Sequence, residues 1–545
     1  MHHDRPLLSL TRHAAASARF WLLALLLGLA AGGATILFRL AIIQLQAFIY
    51  ATDDVNRLHS HAEGLPWMMI IMAPIAGGAL VGVITQWYIP DGKIRSVADV
   101  IEGAALRDGR METKSGIASA CCSLITLSTG GSTGREGPVV HMAAMLASWV
   151  NTRLGTDGIT GRDLLGCAVA AAVSASFNAP IAGALFALEV VLRHFALHAI
   201  APIVIASVSG AVLSRIVFGD HSEFLLPQLT QMQFYAEMPA FVLLGVGCGL
   251  VAVIFMRAIF WADDVGTQIQ SRVGMSLWVR PMCAGAILGV IAIQFPHIIG
   301  VGYETTYAAL SGVLSFELAV IFLVVKVAAV AITMAGRMGG GVFSPALMTG
   351  ALFGLAFGAV ATEIFPSAAS TTTLYALAGM GGGAGAVFGA PISTMLIVFE
   401  LTGDWQMAMA VMITVSLSCL VASKWVARSF FLTQLSRKGV QLWLGPQAYL
   451  LAMFRVDRLM REVGTLNTAE QQRAAEALQA GHIIRAEATL ETAMPLFERY
   501  NVQLLCVVAP DEENAPAQVA GALYRMDALL AYNDALASSA REYSS

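Results

Sequence analysis

Chemistry concentrates in one stretch of this chain, Gly130-Gly131-Ser132-Thr133-Gly134-Arg135-Glu136-Gly137-Pro138. Glycines let a backbone bend tightly and bring its N–H groups close to a ligand. A proline just past the bend suits the first turn of a helix, which the apolar run from Val139 to Met145 would continue. A helix start carries unpaired N–H groups and a partial positive charge, so it attracts anions. Inside a membrane such broken backbone is tolerated only where it is buried in protein or lines a cavity. The stretch therefore reads as an intramembrane anion site with a carboxylate, Glu136, planted in it. A second stretch, Gly341-Val342-Phe343-Ser344-Pro345, repeats its spacing as G-x-[E/F]-x-P. Likewise Phe177-Asn178-Ala179-Pro180 pairs with Phe388-Gly389-Ala390-Pro391, and nine residues past each proline stands a glutamate, Glu189 or Glu400. Two motif pairs in the same order, with matched glutamates, imply an internal duplication. Transporters commonly place the substrate site where two such repeats face each other.

The elements that must position these residues are membrane helices. The chain has 545 residues, 57% hydrophobic and 12% charged, where a soluble domain carries about 25% charged residues. A net charge of −4 with no Lys/Arg-rich tract gives no reason to expect a nucleic-acid partner. Seven cysteines show no metal-ligand spacing and imply no disulfide framework. Nothing reads as a catalytic constellation, so an enzyme is not expected, nor a cofactor or metal. Residues 1–19 read as a short amphipathic cytoplasmic helix. The apolar run from Phe20 to about Tyr50 is too long for a signal peptide and reads as the first membrane helix. Further apolar spans lie at about 66–89, 239–262, 279–300, 316–334, 342–365 and 406–427. Shorter apolar pieces lie at about 115–128, 138–150, 163–176, 180–193 and 196–218, several of them under a full span, as in transporters with a central site, and 374–389 and 391–402 lie between the last two spans. The repeat halves cover about 66–218 and 239–430. Basic residues at 93–114 place that segment on the cytoplasmic side, and the acidic loop 219–237 is expected on the other. Arg39, Arg215, Arg257 and Lys326 lie within or at the ends of apolar spans; snorkelling covers most of them, and intramembrane charge keeps a functional reading open.

After Gly439 the composition changes. Gln441 to Leu450 reads as a linker (441–452 overall), followed by a soluble cytoplasmic unit at 453–545. Its expected order is a helix from Thr489 to Tyr500, a strand from Gln503 to Val508, a polar turn from Pro510 to Pro516, a strand from Val519 to Leu523, and a helix from Arg525 to Leu536.

With GREGP at 134–138, GGVFSP at 340–345, FNAP at 177–180 and FGAP at 388–391, the region 20–440 resembles the CLC chloride channels and chloride/proton exchangers. The tail resembles a single CBS module. The resemblance implies an all-α polytopic fold of two inverted halves with many tilted and half-length helices, plus a small α/β tail. It implies a homodimer with one anion pathway per subunit, in the inner membrane of a bacterium with both termini cytoplasmic, and chloride as the partner. It makes Glu136 the external gate: ionised, it fills an anion site; protonated, it swings away. Backbone amides at Arg135, Glu136, Val342, Phe343 and Ser344 would hold the anion without a fixed full charge, which suits a site that must also release it. The second repeat has Phe343 where the first has Glu136, so capping of the helix start is not a shared purpose of the pair.

Three departures qualify the resemblance. Many members have a Gly-Ser-Gly-x-Pro loop whose serine contacts the central anion; registering on Ile101-Glu102-Gly103 puts Ser96 there without the glycines or proline. Ser96 is then an anion ligand or an N-capping surface serine. The exchangers usually have an acid directly after the position of Glu189; here it is Val190, which cannot carry a proton. Glu102 and Glu189 are either an altered proton route or structural acids. The inner-gate tyrosine position falls on Phe431, which keeps the ring and loses the hydroxyl donor. The leading expectation is voltage- or pH-gated, channel-like chloride permeation with weak or no proton coupling. The alternatives are a coupled chloride/proton antiporter and a membrane sensor with vestigial transport whose tail binds an adenine nucleotide; a fluoride exporter is a variant that GREGP and Ser96 disfavour.

Overall fold

The structure is a computed structural model. It describes residues 5–544 except 53, 157, 196, 220–233, 367–368, 403–404, 427–428, 441, 443–450, 452–453 and 509–518. Most of the acidic loop 219–237, most of the linker 441–452 and the turn from Pro510 to Pro516 therefore lie outside the described residues. The chain divides into a helical unit that ends at Arg437 and a second unit from Lys438 onward.

The helical unit opens with α1 (Arg5–Tyr50), one unbroken helix. The expected helix at 1–19 runs on into the first apolar span, since no Gly or Pro in the segment 7–27 interrupts the helical backbone there. After the short α2 (Leu58–Ala62) come α3 (Trp67–Tyr88), α4 (Val97–Leu106), α5 (Thr113–Thr129), α6 (Glu136–Leu154), α7 (Gly158–Phe177), α8 (Pro180–Phe186) and α9 (Leu197–Phe218). The second half follows with α10 (Phe234–Val273), α11 (Val279–Gln294), α12 (Tyr303–Leu310), α13 (Phe316–Ala335), α14 (Phe343–Ile364), α15 (Thr372–Phe388), α16 (Pro391–Thr402), α17 (Trp405–Trp425) and α18 (Phe430–Arg437). Among the described residues, seven helices are long and apolar enough to cross a membrane. Two expected spans shift: α10 runs on to Val273, and α11 stops at Gln294, where Phe295-Pro296 turns the chain.

The duplication appears as order. The run α5 to α9 recurs as α13 to α17, with each shared motif at the same junction. In both halves the middle helix is the most enclosed. Nearly all of α7 from Gly161 to Phe177 and all of α15 from Thr373 to Phe388 are buried. Their sequences are rich in Ala, Gly and Ser, which lets neighbouring helices approach closely where lipid offers no hydrophobic drive. Helix α8 continues as a π-helical stretch, Ala187–Leu192, which holds Glu189 and Val190.

The C-terminal unit has a four-stranded sheet in the order β1-β4-β3-β2, from β1 (Arg461–Glu462), β2 (Ile483–Arg485), β3 (Leu504–Val508) and β4 (Val519–Tyr524). β2 and β3 are parallel; the other pairs are antiparallel. The expected helices and strands at 489–536 form; β1, β2 and a helix at Thr468–Gln479 add to them. Strands of two or three residues are too short to leave a period-2 pattern. Leu490, Phe497, Leu505, Val507 and Leu523 form its core.

Candidate functional site

The two G-x-[E/F]-x-P stretches meet. Gly134 and Gly341 form an antiparallel bridge, Gly134 N–H to Gly341 O at 2.7 Å and Gly341 N–H to Gly134 O at 2.8 Å. Side chains lock it: Thr133 Oγ1 donates to Gly341 O at 2.9 Å, Thr126 Oγ1 to Met338 O, and Thr333 Oγ1 accepts from Ser132 N–H at 3.1 Å. The bridge sets the starts of α6 and α14 side by side, so two helix N-termini meet within the buried interior.

Glu136, 1% exposed, folds across this junction to the other half. Its Oε2 accepts from Ser344 N–H at 3.4 Å, and its Oε1 accepts from Ser344 Oγ and, at 3.2 Å, from Tyr303 OH. A Cβ on Gly134 would lie 2.6 Å from Glu136 Oε2 and 3.1 Å from Ser344 N, so only glycine leaves room for the carboxylate. Glu136 therefore sits on donors of the second repeat, at the start of α14 rather than of its own α6. The Arg135 guanidinium lies 4.9 Å from the Tyr303 ring centre, and its Nη2 donates to Ser176 O at 3.5 Å. Val342, Phe343 and Ser344 are all buried at the start of α14.

The Phe343 ring packs among other aromatic side chains. It stacks on Phe388 at 4.0 Å and touches Phe177 and Phe186; Phe388 in turn stacks on Phe431 at 6.0 Å. Phe431 is buried on α18, and an apolar aromatic column connects it to Phe343. Ser96 is the N-cap of α4, in a capping box with Asp99 whose carboxylate accepts Ser96 N–H at 2.8 Å. An oxygen that accepts from the helix still has its hydroxyl proton to donate, so the cap and an anion contact are compatible.

The remaining acids have other duties. Glu102 pairs with Arg107. Glu189 accepts from Ile392 N–H at 3.1 Å, Ser393 N–H at 2.7 Å and Ser393 Oγ, capping the start of α16. Glu400 accepts from Ile181 N–H at 2.9 Å and Ala182 N–H at 2.7 Å, capping the start of α8. Val190 is 5% exposed and brings no polar atom. Of the intramembrane cations, Arg39 lies over Phe218, Arg215 donates to Asn178, Arg257 lies near Trp425, and Lys326 donates to Ile298 O and Gly300 O. Lys326 thereby holds the turn that leads into Tyr303. Tyr303 itself was missed by motif reading because it lies outside both repeated stretches; the glycines at 300 and 302 were its only local signal.

Two duplicated halves whose helix starts meet around a carboxylate define an anion-transport architecture, and the chain belongs to the voltage gated chloride channel family, whose model matches residues 77–423. The chain is 30% identical over 416 residues to a putative chloride channel protein, ClcB-like, of Ralstonia nicotianae, covering 76% of this chain and 95% of that one. Its fold is similar to that of a slow cyanobacterial Cl−/H+ antiporter (TM-score 0.68, 18% identity, 77% of this chain and 98% of that one). It is also similar to that of a eukaryotic CLC transporter (TM-score 0.67, 17% identity, 94% and 98%), a coverage that extends past Arg437 into the C-terminal unit.

Proposed function

We propose that this protein conducts chloride through the junction of its two halves, with Glu136 as the gate and with weak or no proton coupling. The observation that carries this reading is the seat of Glu136: its carboxylate rests on the N–H and hydroxyl of Ser344. An ionised carboxylate and a chloride ion compete for the same donors, and charge-assisted hydrogen bonds favour whichever is present. Protonation removes the charge and weakens the hold, so the side chain leaves and the anion enters. The donors around it are a backbone amide and two hydroxyls, strong enough to select an anion and weak enough to release it. An ionised Glu136 within the membrane field also makes the gate voltage-sensitive, by up to about 2.3 kcal/mol per 100 mV for a full charge crossing.

Weak coupling follows from what surrounds the rest of the path. A coupled proton needs a second titratable stop. Val190 supplies none, Glu102 is held by Arg107, and Glu189 caps α16. The second reading, a coupled exchanger, is favoured by one observation: Glu189 sits in a π-helical stretch, a distortion frequent at functional sites. Proteoliposomes under a chloride gradient, with a pH electrode outside, separate the two. Chloride flux with little or no uphill proton movement is expected; uphill proton movement at a fixed ratio to chloride establishes the exchanger instead.

A further inference from the structure

Beside the seat of Glu136 lies a cavity of about 120 Å³, bounded by α1, α2, the 297–302 turn and the start of α12. At about 30 Å³ per water it has room for several waters or a hydrated small anion. Its walls carry polar atoms without hydrogen-bond partners on three residues. His297 is 1% exposed; one ring nitrogen lies near the Phe322 backbone without closing a hydrogen bond of normal geometry, and the other has no partner. Thr305 is 1% exposed, and its hydroxyl has no partner. His59 Nδ1 has none either; the nearest carboxylate oxygen, on Glu304, is 3.8 Å away. Buried polar atoms left unpaired are costly and call for an occupant. A neutral imidazole offers one N–H and a threonine one O–H, so each has a donor to offer a guest in the cavity.

The charges agree. The guanidinium-bearing Arg39 and Arg135 line the cavity, and the amine of Lys326 lies behind the turn that carries His297. The one acid in the lining, Glu304, is already engaged with His59 N–H at 2.9 Å, Ser60 N–H at 3.2 Å and Ser60 Oγ. The His297 ring is held in place by stacking on Phe322 at 3.8 Å, and Lys326 fixes the backbone on either side through Ile298 O and Gly300 O. The geometry points to a second anion site in this cavity, with His297 and Thr305 as donors and chloride as its ligand, next to the seat of Glu136. Tyr303 joins the two, since it lines the cavity and donates to Glu136 Oε1. As a loading station for the gate, the site rests on the reading of Glu136 given above; as a binding site it stands on its own donors.

Two measurements test it. In proteoliposomes, chloride uptake is followed against chloride concentration for the full chain, His297→Phe and Thr305→Val. His297→Phe keeps a flat ring on Phe322, and Thr305→Val keeps the side-chain shape. Each is expected to raise the half-saturating chloride about 2- to 10-fold, with maximal flux within about twofold of the unaltered protein. An unchanged half-saturation in both variants overturns the loading role. Bromide diffused into crystals of the unaltered protein should give an anomalous peak beside the His297 ring, and the peak should vanish in His297→Phe. No peak in the unaltered protein overturns the site. If the gate reading fails while the bromide peak stands, the site survives without its loading role, so the two failures are distinguishable.

Discussion

Around Pro180 and Pro391 the two halves of the chain exchange equivalent contacts. Glu189 of the first half caps the start of α16, and Glu400 of the second caps the start of α8, each through two successive backbone N–H groups. Around Pro138 and Pro345 the halves also meet, through the bridge of Gly134 and Gly341, but the side chains have parted. Glu136 crosses to the donors at Ser344, whereas Phe343 turns away into a stack with Phe388. The contrast separates two uses of a carboxylate at a helix start. A reciprocal pair holds the halves together, and losing either member should cost the same. An unreciprocated acid leaves its own helix unserved and occupies a place something else can take. Duplication supplied both pairs, and the loss of symmetry marks the one that moves.

The comparison yields ordered expectations. Replacing Glu189 or Glu400 by Gln removes a charged cap that accepts two N–H bonds; each should cost about 1–3 kcal/mol and lower the thermal unfolding temperature in detergent by similar amounts. Both variants should keep the pH dependence of chloride flux. A Glu189→Gln protein of unaltered stability that had lost proton movement would place that acid on a proton route and break the symmetry argument. Ser344→Ala takes a hydroxyl from the ionised form of Glu136. Weaker support for the seated carboxylate should loosen the closed gate and raise chloride flux at neutral pH about 2- to 10-fold. An unchanged or lower flux would mean that Ser344 does not hold the gate closed. The smallest effect is expected at the left-handed residue after α7 and α15. Asn178 (φ +56°) and Gly389 (φ +64°) hold the same conformation there, and asparagine tolerates it well. Gly389→Asn should therefore change stability by about 0.5 kcal/mol or less, checked by the same unfolding measurement.

How much of this was legible in the sequence differs by element. The helices α5 to α9 and α13 to α17 announced themselves because apolar runs end at Gly, Asn and Pro, which stop or start helices for steric reasons. The meeting of the two G-x-[E/F]-x-P stretches could be inferred from their repetition. What the spacing could not give was direction. Glu136 and Glu189 are both acids near a repeated proline, and both reach a helix start and a serine hydroxyl of the second repeat, yet only Glu189 is answered by a reciprocal acid, Glu400; that depends on which segments lie opposite. Tyr303 was illegible because it comes from α12, a helix of eight residues outside every motif. Glu400 was visible as a match for Glu189, but its function as the reciprocal cap requires two chain segments 218 residues apart to touch. Ser96 was read either as an anion ligand or as an N-cap; the capping box with Asp99 supplies the cap without closing the other role.

The central claim is that Glu136 is the moving, protonatable part, and its most direct test is chloride efflux from proteoliposomes compared between the unaltered protein and Glu136→Ala across pH 4.5 to 7.5. The unaltered protein should conduct more as the pH falls, because protonation releases the side chain from Ser344. The alanine protein should stay permeable to chloride, with a rate flat within about twofold over the same range. An alanine protein that still rises steeply with acid, or that no longer passes chloride at any pH while remaining folded, would contradict the assignment of Glu136 as the gate.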